Sequence, residues 1–259
     1  GRTNNAEPAA TARTATYVTQ TSLEQHERAA RELLHSLDLE LVERSSPLAS
    51  GHRSSLLLLG QNHAGKMFLL KYYVPPAKGV ILPAQTRYED FARRETGFYR
   101  LLDSIDPNRR EFPAPKTVAF GPGEPAPWLL LEWLPAAVGP PEEVVAQDHV
   151  ITLLQQVASI PTDRMMGRRG LPMEHWEPIG YLDRIRSMYD AVLFVLGEPR
   201  WRQLQRFFAE AVRWTDGRKH VLVHGDFQGD NVVVTETDQP FLVDFEQIGI
   251  GNRDHDFAW

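Results

Sequence analysis

Two stretches of the chain carry residue types that could do chemistry together. Val221-Leu222-Val223-His224-Gly225-Asp226-Phe227-Gln228-Gly229-Asp230-Asn231 places a polar, glycine-containing loop after a β-like piece, and Phe241-Leu242-Val243-Asp244-Phe245-Glu246 follows shortly after it. A turn at residues 236–239 predicts a hairpin, and pairing Val232 with Val243 would set Asn231 and Asp244 side by side at its open end. One amide oxygen and one carboxylate then converge. Such a pair suits Mg2+, which keeps part of its hydration shell and shares the phosphates of a nucleotide. Asp226 lies earlier in the same loop and is left to accept a proton. Asp and Asn also cap hairpins with no chemistry attached, but three of them at this spacing between apolar strands favour a site.

These residues match the pattern His-x-Asp-x4-Asn followed by Asp-Phe-x, and the His-Gly-Asp form resembles the aminoglycoside phosphotransferase and choline kinase-like superfamily of protein-kinase-like small-molecule kinases. The resemblance implies an ATP- and Mg2+-dependent phosphotransferase acting on a hydroxyl of a small molecule. Asp226 would be the catalytic base, and Asn231 and Asp244 would hold the metal. It further implies a strand lysine for the nucleotide phosphates and a helix glutamate to orient it. Met67-Phe68-Leu69-Leu70-Lys71-Tyr72-Tyr73 offers the lysine, and Glu95, between Phe91 and Phe98 on the apolar side of a helix, offers the glutamate. A carboxylate there is costly without a cation, so Lys71 is its expected partner. A snorkelling lysine beside an edge-of-face glutamate is the simpler alternative.

Trp128-Leu129-Leu130-Leu131-Glu132-Trp133-Leu134-Pro135 resembles the hinge of that family, and Glu132 and Trp133 become candidate nucleotide contacts through their backbone; an ordinary buried strand reads the same way. Asp256, in Gly249-Ile250-Gly251-Asn252-Arg253-Asp254-His255-Asp256-Phe257-Ala258, occupies the position that braces the catalytic loop, or else a helix N-cap. His224 is likewise expected to brace the loop. Glu246 stands where protein kinases have Gly, which suits a kinase with no flexible activation segment. The segment 45–55 stands where a phosphate-covering loop is expected, yet it holds a single glycine, Gly51. The resemblance runs from about Leu39 to the end. Relatives usually continue with helices that help build the acceptor pocket, so it implies a C-terminal lobe incomplete at Trp259.

The elements that must position these residues are legible in outline. Leu23, Ala30, Leu33, Leu34 and Leu37 behind a Thr21-Ser22 cap predict an amphipathic helix. Three apolar runs, 39–42, 55–59 and 67–73, predict a three-stranded meander. A helix over 88–105, strands at 117–120 and 128–132, and helices over 142–160, 181–196 and 199–215 follow. Short strands at 221–223, 232–235 and 241–243 close the chain. The expected fold is α+β and bilobal, protein-kinase-like, with an antiparallel sheet and packed helix in the first lobe and a mostly helical second lobe. The expected division is a flexible tail at 1–20, a nucleotide-binding lobe at 21–135 with its hinge near 129–135, and a catalytic lobe at 136–259.

Composition sets the outer limits. A chain of 259 residues, 42% hydrophobic and 24% charged, has enough material for a packed core. Its net charge of −6 has the wrong sign for a general nucleic-acid binder. The acidity is concentrated: residues 1–135 carry 16 basic and 15 acidic side chains, and 136–259 carry 12 and 19. That leans slightly toward a cationic acceptor. With no cysteine there is no disulfide framework and no thiolate chemistry, consistent with a reducing cytoplasm. No apolar run approaches membrane-spanning length, and the polar start reads as a trimmed end or tail, not a signal peptide. The competing class is a nucleotide-binding scaffold with this fold and no turnover. The acceptor, the choice of ATP or GTP, and the oligomeric state are not written in the sequence.

Overall fold

The computed structural model describes residues 20–45, 55–75, 88–121, 126–135, 147–163, 174–176, 189–215, 220–253 and 255–256. The tail before residue 20, residues 46–54 of the loop expected to cover phosphate and the ends of two expected helices, 142–146 and 181–188, lie outside them. Helix α1 (Gln20–Ser36) lays Leu23, Ala30 and Leu34 on the sheet, as its apolar spacing requires. The helix spans Gln20–Ser36, so Thr21 and Ser22 fall within its first turn. It ends where Asp38 takes a left-handed φ of 61° and the Leu39 N–H reaches back to the Leu34 carbonyl at 3.1 Å.

The expected meander is part of a larger sheet. Strands β1 (Glu40–Ser45), β2 (Ser55–Gln61), β3 (Met67–Tyr73), β4 (Thr117–Gly121) and β5 (Trp128–Glu132) form one antiparallel sheet in the order β1-β2-β3-β5-β4. Gly60 in β2 lets α1 approach closely, because a Cβ there would stand 3.1 Å from Leu34 Cδ2. The two-residue period of β3 sorts its side chains. Phe68, Leu70 and Tyr72 join the cluster under α1, whereas Lys71 and Tyr73 turn to the opposite face. There they meet helix α2 (Tyr88–Ile105), which buries Phe91, Glu95, Phe98 and Leu102 on one side. Lys71 and Glu95 therefore face each other because of two periodicities, one of strand and one of helix.

After α2 the chain is turned by a carboxylate. Asp106 accepts the N–H groups of Arg110 (3.0 Å), Glu111 (2.9 Å) and Phe112 (2.8 Å). Arg109, at a left-handed φ of 53°, donates to the Asp106 carbonyl at 2.8 Å and to Asp103. This turn delivers Phe112 to the core beside Phe98 and Phe245, and the Pro113 carbonyl accepts the N–H of Leu242. Burial alone would push the Asp106 carboxyl up, but the Phe112, Arg110 and Glu111 amides, helped by Arg109, hold it below the usual carboxylate range. A depressed carboxyl contributes stability above its unfolded value and loses it as pH falls through the folded one. Asp106→Asn, with one acceptor oxygen and no charge, is expected to cost about 2 kcal/mol at pH 7. Urea unfolding of both proteins checks this, and the gap should narrow as pH falls below about 4, where the unfolded carboxyl takes up its proton.

In the second half, α3 (Gln147–Ser159) buries Leu153, Leu154 and Val157. Strand β6 (Glu174–Trp176) has no counterpart among the elements expected from the sequence. Helix α4 (Tyr189–Thr215) is interrupted at Gly197 (φ 73°, ψ 159°), with Pro199 opening its second part, in line with two separate helices. Then come β7 (His220–Val223), β8 (Val232–Val234), β9 (Pro240–Leu242) and β10 (Gly249–Asn252). Strands β6, β10 and β7 form a three-stranded sheet, and β8 and β9 form the expected hairpin. Its register differs by one residue: Val232 pairs with Leu242, not with Val243. The turn decides this. Thr235 N–H bonds to the Gln239 carbonyl around Asp238 at a left-handed φ of 56°, which fixes Val234 against Pro240. Among the described residues no helix is long and apolar enough to cross a membrane.

Candidate active site

The loop after β7 is held from below. Asp256, 4% exposed, accepts the main-chain N–H of His224 at 2.6 Å and of Gly225 at 2.9 Å, and the left-handed Gly225 (φ 83°) turns the chain there. The fully buried His224 ring places Nε2 at 3.0 Å from the Val243 carbonyl. A carbonyl only accepts, so Nε2–H donates and ties this loop to the residue preceding Asp244. Both residues brace the loop, the role expected for them, and Asp256 acts as a double acceptor for main-chain amides.

Asp226, partly exposed, accepts from Gln228 Nε2 at 3.1 Å. A single 3-10 turn, Gly229–Asn231, then brings Asn231 back so that its Nδ2 donates to the Asp226 carbonyl at 2.7 Å. This bond uses the amino end of the amide and leaves Oδ1 as the ligand end. The Val243 N–H donates to the Asn231 carbonyl at 3.1 Å, so Asn231 and Asp244 leave the hairpin together despite the shifted register. Asp244 has φ 65° and ψ 64°, and a second 3-10 turn, Phe245–Gln247, starts from it. A non-glycine residue in that conformation costs about 1 kcal/mol or more and marks a place where surrounding contacts dictate the backbone.

Those contacts centre on Lys71. Its Nζ lies 2.6 Å from Glu95 Oε2, 2.7 Å from Asp244 Oδ1 and 3.2 Å from Glu246 Oε2. Glu95, 1% exposed, also accepts from the Tyr73 hydroxyl and, at 3.3 Å, from the Phe245 N–H. Burial by itself would lower the Lys71 ammonium, but Asp244, Glu95 and Glu246 together hold it well above its usual value. For Asp244 the burial penalty is outweighed by Lys71, and its carboxyl is held below the usual range. Burial prevails at the other two: Glu95 is raised, and Glu246 is pushed up to about 7 against the pull of Lys71, with Asp244 and Glu95 adding repulsion. Oxygens of Glu95, Asp244 and Glu246 lie within 4.8 Å of one another, a spacing that could hold a cation. The cation among them is the lysine ammonium itself.

Lys71, Glu95, Asp226, Asn231, Asp244 and Glu246 line one cleft of about 440 Å³, which Glu132, Trp133 and Leu134 also border. The seven residues expected to act on nucleotide, metal or acceptor, Lys71, Glu95, Glu132, Trp133, Asp226, Asn231 and Asp244, thus all border one cleft. Glu132 and Trp133 contribute less than a bare hinge would. The Glu132 side chain pairs with Lys66 at 2.6 Å, its N–H bonds to the Lys116 carbonyl, and the Trp133 N–H bonds to the Met67 carbonyl. From their backbone, these two residues have only carbonyls left to offer a ligand.

Sequence reasoning misses three participants. Glu246 reads from the sequence only as compatible with the pattern, although it shares Lys71. Tyr73 has a readable signal, because it lies two residues after Lys71 on the same strand face. Arg94 has none: its buried Nε donates to the Glu246 carbonyl at 2.8 Å, and its guanidinium lies over the Phe91 ring at 5.0 Å.

Residues 46–259 match the phosphotransferase enzyme family, APH. No curated protein matches the sequence significantly. Among solved structures, the chain is similar to the gentamicin complex of APH(2")-IIa, with a TM-score of 0.61 and 14% identity over 89% of this chain and 73% of that one. A streptomycin-ATP-APH(2")-IIa ternary complex gives 0.59 and 14% over the same shares, 89% and 73%. Macrolide 2'-phosphotransferase MphH from Brachybacterium faecium, an apoenzyme, gives 0.55 and 16% over 88% and 74%. At such identities the likeness is one of fold, α+β with a sheet lobe and a helical lobe, whereas the family match spans most of the sequence. The chain belongs to the phosphotransferase enzyme family.

Proposed function

We propose that the protein transfers the γ-phosphate of ATP to a hydroxyl of a small molecule with the help of Mg2+. The observation that carries this reading is the meeting of Lys71, Asp226, Asn231 and Asp244 in one cleft. The donor set fits the ion: Asp244 supplies a carboxylate, and Asn231 supplies Oδ1 because its amino end is engaged. When bound, Mg2+ would neutralise charge on the phosphates. Lys71, oriented by Glu95 and Tyr73, is the protein's own cation for those phosphates. Asp226 belongs to the same cleft without touching Lys71, so it is the carboxylate left to accept the acceptor's hydroxyl proton as the new P–O bond forms and ADP departs. Carbonyls of Glu132 and Trp133 can accept from the amino group of a purine.

The named structural neighbours were seen with gentamicin or with streptomycin and ATP, or are described as a macrolide phosphotransferase. An aminoglycoside-like antibiotic or a small hydroxyl-bearing metabolite is the acceptor class proposed here, with no role for nucleic acid or membrane and with the cytoplasm as the place of action. The experiment is a panel of aminoglycosides, macrolides, sugars, choline-like amines and homoserine, scored for consumption of ATP or GTP with Mg2+. A phosphorylated product establishes the reading. Tight MgATP binding with no product from any acceptor would favour a nucleotide-binding scaffold.

A further inference from the structure

An ammonium group has three N–H donors. At Lys71 all three face carboxylates, those of Glu95, Asp244 and Glu246. A nucleotide phosphate can reach this lysine only by displacing one of them. Glu95 is the least displaceable, since it is 1% exposed and is also held by the Tyr73 hydroxyl and the Phe245 N–H. Asp244 makes the second-shortest contact, at 2.7 Å, and is tied to the strained turn that orients it. Glu246 makes the longest contact, at 3.2 Å, and lines the cleft. Arg94 holds the Glu246 carbonyl at 2.8 Å, so the backbone is pinned to α2 and the displacement falls to the side chain alone.

Resting on the reading that the cleft takes ATP, we infer that Glu246 is a positioning residue that occupies Lys71 when no nucleotide is present and competes with phosphate for it, setting nucleotide affinity. A protein whose binding-competent form is only a fraction of the total binds more weakly by that fraction. Glu246 lowers the fraction in which Lys71 is available, and its own charge repels the phosphates. The consequence has a distinctive sign. Loss of a metal ligand, or structural damage, weakens nucleotide binding; loss of a competitor tightens it.

Calorimetry of ATP binding in EDTA, where no metal contributes, makes the test. Glu246→Gln is expected to bind ATP roughly tenfold more tightly than the wild type, the scale of removing one nearby, partly screened charge and freeing the lysine. Glu246→Ala should shift the same way, which guards against a fault peculiar to the Gln side chain. Asp230→Asn removes a cleft carboxylate away from Lys71 and should change affinity much less. Equal or weaker binding by both Glu246 variants overturns the inference, and so does an equal gain from Asp230→Asn, which would make the effect one of bulk charge. Weakening of both variants confined to Mg2+ would make Glu246 a metal ligand and overturn it too. If the wild type binds neither ATP nor GTP with Mg2+, the functional reading itself fails and this inference falls with it; wild-type binding with unchanged variants sinks the inference alone.

Discussion

Asp226→Asn should bind MgATP almost as the wild type does and transfer phosphate roughly 10²- to 10⁴-fold more slowly, the usual worth of a positioned general base. The expectation follows from where the loop puts its groups. Asp226 carries its carboxylate into the cleft and makes its structural contribution through its main-chain carbonyl, which receives Asn231 Nδ2. Replacing the acid by its amide keeps the carbonyl, the volume and the Asn231 contact, and removes only the proton acceptor. Asp244→Ala is the contrasting variant. It removes the charged member of the candidate metal pair and one of the three carboxylates on Lys71, leaving the neutral Asn231 oxygen as the pair's remaining ligand. The gain in ATP affinity that Mg2+ gives the wild type should then vanish, while binding in EDTA should not weaken, since a carboxylate that shares Lys71 is also gone. Calorimetry with Mg2+ and with EDTA, beside single-turnover transfer, separates the two roles. Full turnover by Asp226→Asn, or a loss of nucleotide binding equal to that of Asp244→Ala, removes Asp226 from the role of base.

Some parts of this arrangement are more legible in the sequence than others, and the reasons are physical. Helix α2 can be read to the residue because it carries strong periodicity over a buried face, and strands β3 and β5 because each is a short, nearly continuous apolar run. Lys71 and Glu95 pair on sequence grounds alone, since each is a charge on an otherwise apolar face. The hairpin register is not legible. It depends on the left-handed conformation of Asp238 in a five-residue turn; Asp tolerates that conformation better than the Thr, Glu and Gln around it, but its type alone does not fix which strand residues the turn sets opposite each other. Strands β6 and β10 are three and four residues long, and β10 alternates glycine with Ile250 and Asn252, so neither carries a strand pattern. Their pairing, Gly249 with Glu174, is a long-range event. Glu246 is invisible as a partner of Lys71 for a similar reason. Its burial comes from α2 and from Arg94 reaching its carbonyl, whereas its sequence neighbours suggest only an acidic residue after a short strand.

Lys71→Met should be the most destabilising single change in the site, by about 3 kcal/mol at pH 7, because breaking a buried ionic cluster strands the charges that remain. Of the three carboxylates, Glu95 is the one fully withdrawn from water; the Asp244 side chain is 37% exposed and that of Glu246 16%, so their share is discounted for solvent. The pH dependence fixes the cause. Lys71 is held well above its usual value, so in the wild type its contribution persists across the neutral range and is lost only in strong alkali. Without that cation Glu95 and Glu246 are pushed further up and Asp244 loses the charge that holds it low, so the variant must either keep unpaired charges or take up protons. Its deficit against the wild type should therefore shrink as pH is lowered from 7 toward about 5. Glu95→Gln should be milder, since Lys71 retains Asp244 and Glu246. The double variant should be clearly less damaged than the sum of the two, with a coupling of roughly 1–3 kcal/mol. Urea unfolding of the four proteins at both pH values measures it. A deficit indifferent to pH would show that Lys71 acts through packing, and strict additivity would show that Lys71 and Glu95 do not work as a unit.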